Sequence, residues 1–239
     1  MMNTAFLKSY QTLKDVYDNK AFSSISLNKT LSFCKKQDKA LITKVVYGVL
    51  DNDIKLDYVI SKYVKKTPKG DALIFLKIGA YCLENLSLPV YAVVNDIAEL
   101  AKITGDRYVV GFVNATLKNM SATVKSFDDY PENELENLSV KYSYPLWALK
   151  KLVKDYGKDE AFEIVSFPPE ERTTARFAGG VDCSYIEKHF GFKAQITPFD
   201  DAFYIDGSPN LTDGTVTVQS LLSMAIARIC AQKVLQGSF

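Results

Sequence analysis

The stretch Asp71-Ala-Leu-Ile-Phe-Leu-Lys-Ile-Gly-Ala-Tyr-Cys-Leu-Glu-Asn-Leu86 is apolar around almost the whole circumference of a helix. After Asp71 at its start, its only charges are Lys77 and Glu84, which stand seven residues apart and fall on one narrow stripe. Because a helix with so little polar surface has to be enclosed by other helices, the stretch predicts the central helix of an all-α bundle. Asp71 is suited to cap its start, and Pro89 follows its end.

The segments on either side of this stretch predict six further helices. They carry apolar residues at spacings of three and four, as Phe6, Tyr10, Leu13 and Tyr17 do in the first of them. In the second, Ile25, Leu27 and Leu31 are predicted to be the apolar anchors. The connections are short and no convincing strand interrupts them, so a bundle of seven helices is expected. These helices are predicted over residues 4–17, 23–33, 38–50, 53–64, 71–86, 89–103 and 107–120.

The pattern changes after residue 125. Residues 126–136 are acidic and contain Pro131, which predicts a linker that runs into a new helix. Helices are predicted over 145–156 and 159–167, and Trp147 is interpreted as a core residue. Strands over 173–177, 194–197, 202–205 and 215–218, with helices over 185–190 and 220–234, predict a small α+β unit. The predicted domains are therefore 1–125, 126–170 and 171–239.

The composition is that of an ordinary soluble globular protein, with 47% apolar and 24% charged residues among 239. No run of 18 apolar residues and no signal-peptide pattern occurs, so a membrane span is not expected and a cytoplasmic location is. The four cysteines are far apart and His189 is the one histidine. Zinc binding is therefore not expected, and free thiols in a reducing compartment are.

The formal net charge of +1 conceals an uneven distribution. Residues 1–125 carry 18 basic and 11 acidic side chains, whereas residues 126–239 carry 11 basic and 17 acidic ones. A split of this kind suggests that the first half faces nucleic acid. On charge alone, solvated helix faces with a chance excess of lysine remain an equal alternative.

The residues taken by themselves contain no catalytic constellation. Glycine-rich phosphate loops, zinc-protease motifs and nucleophile elbows are all missing from the sequence. His189, between Lys188 and Phe190, is predicted to be a surface or half-buried residue.

Several segments, in this order, resemble the bacterial 16S rRNA cytosine-C5 methyltransferases of the Sun/Fmu type, which begin with a NusB-like RNA-binding domain. The resemblance covers nearly the whole chain, and the order of the segments makes it specific where each piece alone is weak. The segments are Val46-Tyr-Gly-Val-Leu50, Leu56-Asp-Tyr-Val-Ile60, Leu76-Lys-Ile-Gly-Ala-Tyr81, Pro89-Val-Tyr-Ala-Val-Val-Asn95, Gly111-Phe-Val-Asn-Ala-Thr-Leu-Lys118, Leu138-Ser-Val-Lys-Tyr-Ser-Tyr-Pro-Leu-Trp147 and Val218-Gln-Ser-Leu-Leu-Ser223.

This resemblance implies a NusB-like all-α bundle, then a linker, two helices and a small ferredoxin- or RRM-like α+β unit. It implies an enzyme that methylates C5 of a cytosine in 16S ribosomal RNA with S-adenosylmethionine. In that family the cofactor loop and the catalytic cysteines, one of which follows a proline, come later than the segments matched here. We therefore expect an N-terminal fragment that is inactive alone, binds no cofactor and contributes no catalytic residue. Cys82 is expected to be an inert core thiol.

Five positions depart from the family's pattern. Asp51 and Lys118 stand where the family has arginine, which weakens position 51 as a phosphate contact. Phe177-Ala178 replaces Val-Asn, and Ser220 replaces an aspartate, which puts any contribution of that position to the cofactor side in doubt.

The expected partner is 16S rRNA, bound by a monomer, with no role for DNA or membrane. Two alternatives stay open: a non-enzymatic NusB-like antitermination adaptor, against which residues 138–239 argue, and a helical scaffold for protein contacts. The residues predicted to contact RNA phosphates are Lys8, Lys35, Lys36, Lys39, Lys44, Arg107, Lys118 and Lys125, with Arg172 and Arg176 added from the α+β unit.

Overall fold

The computed structural model describes residues 4–124, 127–167, 173–177, 179, 181–191, 193–206 and 216–235, with side chains up to residue 231. The chain divides into two compact units, residues 1–167 and residues 168–239. Each unit has its own cluster of buried apolar side chains.

The described residues of the first unit form helices joined by loops. The seven predicted helices of residues 1–125 are confirmed, with ends that shift by no more than two residues. The helices are α1 (Thr4–Asn19), α2 (Ser23–Ser32), α3 (Lys36–Asp51), α4 (Asp53–Tyr63), α5 (Asp71–Asn85), α6 (Val90–Ala101, extended by the 3-10 turn Lys102–Thr104), α7 (Arg107–Ser121), α8 (Glu134–Lys141), α9 (Leu146–Tyr156) and α10 (Lys158–Ser166).

Helix α5 is the centre of this unit, as the sequence predicts. Every residue from Ile74 to Leu83 is buried, and the helix packs against α1, α3, α4, α6 and α7. The ring of Phe75 stacks on Tyr10 of α1, with the centroids 4.8 Å apart. The predicted cap is wrong, however: Gly70 occupies the N-cap position, and Asp71 instead pairs with Lys14 of α1.

Helices α8 to α10 complete the first unit. Helix α8 packs on α4 and on α9, and the hydroxyl of Ser143 accepts a hydrogen bond of 2.9 Å from the amide of Ile54 in α4. Two interpretations from the sequence are wrong, one in α9 and one in α2. Trp147 is 73% exposed rather than part of a core, because the buried side of α9 is formed around Leu149. Of the predicted anchors of α2, Ile25 is 66% exposed, whereas Leu27 is buried as predicted.

The second unit contains an antiparallel sheet, with one helix between its first two strands and another after its last strand. Strand β1 (Thr173–Phe177) leads through α11 (Cys183–Phe190) to β2 (Ala194–Ile196) and β3 (Ala202–Ile205), and β4 (Val216–Val218) leads into α12 (Leu221–Leu235).

The strand order is β2-β3-β1-β4, and every neighbouring pair is antiparallel. Because β3 lies between β1 and β2, the segment β1–α11–β2 is a split βαβ unit, as in ferredoxin-like folds. Ala175 of β1 pairs with Phe203 on one side and with Val218 on the other. The predicted small α+β unit is thereby confirmed.

Candidate nucleic-acid interface

Four of the predicted RNA-contacting residues lie between the N-cap and the middle of α3. Lys35 occupies the N-cap position, and Lys36, Lys39 and Lys44 are exposed along the helix. The opposite side of α3 is fixed in the core by its buried aliphatic residues, which are Ile42, Val45, Val46 and Val49. The amphipathic pattern of the helix therefore holds these lysines toward solvent. We refer to Lys35, Lys36, Lys39 and Lys44 as the α3 lysine cluster.

The lysines near the N-terminus of α3 are electrostatically unfavourable for the helix that carries them. A helix N-terminus carries partial positive charge, so lysines in the first turn are repelled by it, and Asp38 is the one acidic residue of that turn. In the described part of the chain no carboxylate lies within salt-bridge distance of any of the four ammonium groups. Lys55, by contrast, meets Glu84 at 2.5 Å. The cluster is thus left available for an external polyanion.

Lys8 lies elsewhere, in a groove of about 480 Å³ between α1 and α2. Lys29 and Phe33 line the same groove, and a hydrogen bond of 2.8 Å between the hydroxyls of Thr12 and Thr30 joins the two helices at this place. Asp15 and Asp18 also line it, so the groove carries both signs of charge. It is a weaker candidate for binding phosphate than the α3 lysine cluster.

Sequence reasoning missed Lys29 and Phe33. Phe33 is 82% exposed, and Phe22 and Ile25 on the same side of α2 are exposed as well. Three apolar residues and one lysine, at positions 22, 25, 29 and 33, follow one another at spacings of three, four and four. This spacing is the signal that could have identified the exposed stripe. The same spacing predicts a buried stripe equally well, so only the packing of α2 distinguishes the two.

Arg107 and Lys118 lie near the two ends of α7, about 16 Å apart along its axis at 1.5 Å per residue. Asp106 caps this helix through its carboxylate, which accepts a hydrogen bond of 2.8 Å from the amide of Tyr108. Helix α7 packs mainly on α5 and α6. The structure therefore does not join Arg107 and Lys118 into one patch.

Arg176 is in β1 of the second unit, and its Nε donates a hydrogen bond of 2.8 Å to Asp201. Asp201 also binds Arg228 of α12, which makes Arg176 part of a structural network as well as a predicted contact. Lys125 and Arg172 lie outside the described residues.

Nothing among the described residues assembles a reaction centre. Cys82 is fully buried, and burial raises the pKa of its thiol to about 12, which agrees with the expected inert core thiol. All four cysteines are free. Within the described ranges, no three His, Cys, Asp or Glu side chains converge as metal ligands do. None of the helices in those ranges has the length and apolar character needed to cross a membrane.

Comparison with known proteins gives a family match for the first half. Residues 5–122 match the model of the NusB family. The chain is 29% identical over 235 residues to the probable ribosomal RNA small subunit methyltransferase B of Bacillus subtilis (strain 168), covering 91% of this chain and 52% of that protein. It is also 29% identical over 111 residues to the transcription antitermination protein NusB of the same organism, covering 43% of this chain and 84% of that protein.

A second methyltransferase is similar in sequence, and a solved structure is similar in fold. The ribosomal RNA small subunit methyltransferase B of Vibrio vulnificus (strain YJ016) is 26% identical over 147 residues, which cover 60% of this chain and 34% of that protein. The crystal structure of PH0851 has the same fold over 94% of this chain and 54% of its own, with a TM-score of 0.63 at 16% identity. The chain thus spans between a third and about half of the methyltransferases it matches.

The two kinds of relative cover different parts of the molecule. The NusB match ends at residue 122, whereas the methyltransferase match over 235 residues extends through α8 to α10 and into the second unit. Residues 5–122 of this chain match the NusB family model, and most of the chain is similar in sequence to ribosomal RNA small subunit methyltransferase B.

Proposed function

We propose that this chain is the RNA-binding region of an S-adenosylmethionine-dependent 16S rRNA cytosine-C5 methyltransferase, and that it positions ribosomal RNA for methylation. The observation that carries the proposal is the α3 lysine cluster, four exposed cations without acidic partners on a NusB-family bundle. The homology to methyltransferase B relatives beyond this bundle supports its enzymatic context.

The physical role of such a cluster is to neutralise phosphates. Each lysine–phosphate contact releases counterions and adds affinity that does not depend on sequence and that falls with salt. Recognition of a particular rRNA region then comes from the shape of the folded RNA and from unstacked bases. We expect a monomer in the cytoplasm that binds 16S rRNA, with DNA and membranes as non-partners.

The described residues of this chain do not form the kind of site that binds S-adenosylmethionine. Nucleotide-type cofactors bind in the crevice at the carboxyl ends of parallel strands in doubly wound sheets. Neighbouring strands in the described sheet are antiparallel throughout. We therefore assign the cofactor to the full-length enzyme and expect residues 1–239 to be inactive alone. A calorimetric titration that detected micromolar binding of S-adenosylmethionine to this chain would contradict that assignment.

A non-enzymatic antitermination adaptor is the second candidate, because the NusB relative covers 43% of this chain. An adaptor of that kind does not require the second unit. The homology of residues beyond 122 to methyltransferase B relatives therefore favours the first candidate.

The test is charge reversal within the α3 lysine cluster. The variant Lys36→Glu with Lys39→Glu replaces two exposed cations without touching the core. We expect it to weaken binding of a fluorescent 16S rRNA fragment by about tenfold or more, measured by anisotropy at low salt. The matched control is Lys188→Glu with Lys193→Glu, which makes the same charge change on exposed residues of the second unit. We expect this control to bind almost as the wild type does.

Circular dichroism and thermal melting establish that both variants remain folded. Equal loss of affinity in both would mean that only net charge matters, and no loss in the α3 variant would refute the role of the cluster. A wild-type chain that bound no RNA at low salt would exclude the proposed function altogether.

A further inference from the structure

Helix α9 places its tryptophan among lysines on its solvent side. At 100° per residue, Lys150, Lys151 and Lys154 lie three, four and seven positions after Trp147, so all four share an arc of about 100°. These are all of the lysines of α9, and all are exposed. Leu149 points the opposite way and is fully buried. Trp147 therefore stands at the centre of the polar face and does not extend the apolar one.

We propose that this α9 face is an RNA contact at which an unpaired base stacks on the indole of Trp147, while the flanking lysines bind the neighbouring phosphates. The inference rests on the proposed function, and it adds a site that lies outside the NusB-family match of residues 5–122. Its ligand class is single-stranded RNA.

The first argument is that an exposed aromatic ring lies beside lysines that are free or only weakly paired. Lys150 and Lys154 have no carboxylate within salt-bridge distance among the described residues, and Lys151 meets Asp155 at 2.9 Å in an exposed pair that contributes little. An aromatic platform bordered by cations is the combination that sequence-tolerant single-strand binding uses.

The second argument excludes the nearest alternative, a docking surface for a protein. The centres of protein interfaces are apolar and depleted in lysine. Around Trp147 the solvent side of the helix carries lysines at positions 150, 151 and 154. Burying this face against a protein would require three ammonium groups to be desolvated, whereas phosphates pair with them directly.

The third argument is the contrast with the surroundings. Residues 127–167 carry nine acidic residues and five lysines. Three of those lysines are collected beside Trp147, and Lys158 of α10 is paired with Glu134 at 2.5 Å. The α9 face is therefore a local positive patch in an acidic segment. Because screening limits exposed charges to about 8 Å at physiological salt, the local patch decides what binds there.

The test uses the fact that Trp147 is the single tryptophan of the chain. The intact chain is titrated with a single-stranded 12-nucleotide oligoadenylate, and binding is followed both by the emission of Trp147 and by the anisotropy of a label on the RNA. We expect saturable quenching of the tryptophan with the same midpoint as the anisotropy change. A blunt RNA duplex, which offers no unpaired base, is expected to quench far less.

Variants then separate stacking from charge. Trp147→Ala should weaken single-strand binding by about 5- to 100-fold, as loss of one stacked base does, while Trp147→Phe, which keeps a ring, should recover most of the affinity. Lys150→Glu with Lys154→Glu should weaken binding and reduce the salt slope by about 1.4, since each single-strand phosphate contributes about 0.7. Tyr156→Ala removes an aromatic ring that is 62% exposed on the opposite side of α9, and we expect it to be neutral.

The outcomes distinguish this inference from the proposed function. RNA that binds by anisotropy while Trp147 emission and the affinity of Trp147→Ala stay unchanged would overturn the α9 site and leave the α3 lysine cluster standing. A chain that binds no RNA by either measurement would overturn both. Quenching that persists in the Lys36→Glu, Lys39→Glu variant would show that the α9 face binds RNA by itself.

Discussion

At the scale of single residues, Lys77 is a charge within an otherwise apolar helix, and the structure shows which side chains pair with it. It lies in the central helix, its side chain is 4% exposed, and its ammonium group meets Asp53 at 2.6 Å and Asp57 at 2.9 Å. Tyr17 also donates a hydrogen bond of 2.5 Å to Asp53. Burial is the main cause that raises the pKa of Asp57, and Lys77 opposes it. The lysine therefore forms ion pairs with two carboxylates of α4 at the edge of the core.

We predict that Lys77→Met lowers the free energy of unfolding by about 2 kcal/mol in urea titrations at pH 7. Removing one partner of a fully buried pair costs roughly 3–5 kcal/mol, and here water still screens the two carboxylates. The control Lys102→Met removes an exposed partner of Glu99 and should change stability by less than about 0.5 kcal/mol.

The same variant should show a characteristic pH dependence. Without Lys77 the pKa of Asp57 rises further above its unfolded value, so the folded state binds that proton more tightly than the unfolded state does. The resulting penalty is present at neutral pH, declines as the pH falls through the folded pKa, and disappears below the unfolded pKa of about 3.9. The stability difference between wild type and Lys77→Met should therefore narrow from pH 7 toward pH 4, and a constant difference would contradict this account.

At the scale of elements, hydrophobic periodicity predicts nearly every helix and strand, because each element needs one apolar side regardless of its neighbours. What it does not predict is which apolar side chains stay outside. Ile25 and Trp147 have helical spacing, yet they are exposed because α2 and α9 turn Leu27 and Leu149 inward. The close approach of helices is likewise a property of packing: a Cβ added at Gly48 of α3 would lie 1.9 Å from Cζ of Tyr81 in α5.

We predict opposite effects for two glycine-to-alanine changes in helices. Gly48→Ala should destabilise the protein by about 1–3 kcal/mol, because the buried ring of Tyr81 occupies the space that the methyl group needs. Gly111→Ala in α7 meets nothing within 4 Å and should stabilise it by about 0.5–1 kcal/mol, since alanine favours the helix. Urea titrations measure both, and a stabilising Gly48→Ala would show that α3 and α5 are farther apart than described.

At the scale of the whole molecule, the distribution of charge matters more than its sum. The net charge of +1 would not attract RNA, but residues 1–125 carry a surplus of seven positive charges. The α3 lysine cluster concentrates part of that surplus along the exposed side of one helix, from its N-cap to its middle.

We predict that RNA binding by the wild-type chain depends steeply on salt. If the four lysines of the cluster each neutralise one phosphate, the logarithmic slope is about −3, and affinity should fall by about 50-fold between about 0.05 M and about 0.2 M KCl. Anisotropy titrations across that range give the slope. A value near zero would mean that phosphate contacts do not hold the RNA.

The elements, the central position of α5, the small α+β unit and the resemblance to an rRNA methyltransferase could all be predicted from the sequence, because hydrophobic periodicity and local motifs are properties of short segments. Which cations are free and which are paired with carboxylates depends on the tertiary structure. Lys77 and Lys36 are both lysines on helices, and the folded chain pairs the first with Asp53 and Asp57 and leaves the second at the surface. Pairing depends on side chains that are distant along the chain, and no local pattern reports their distance.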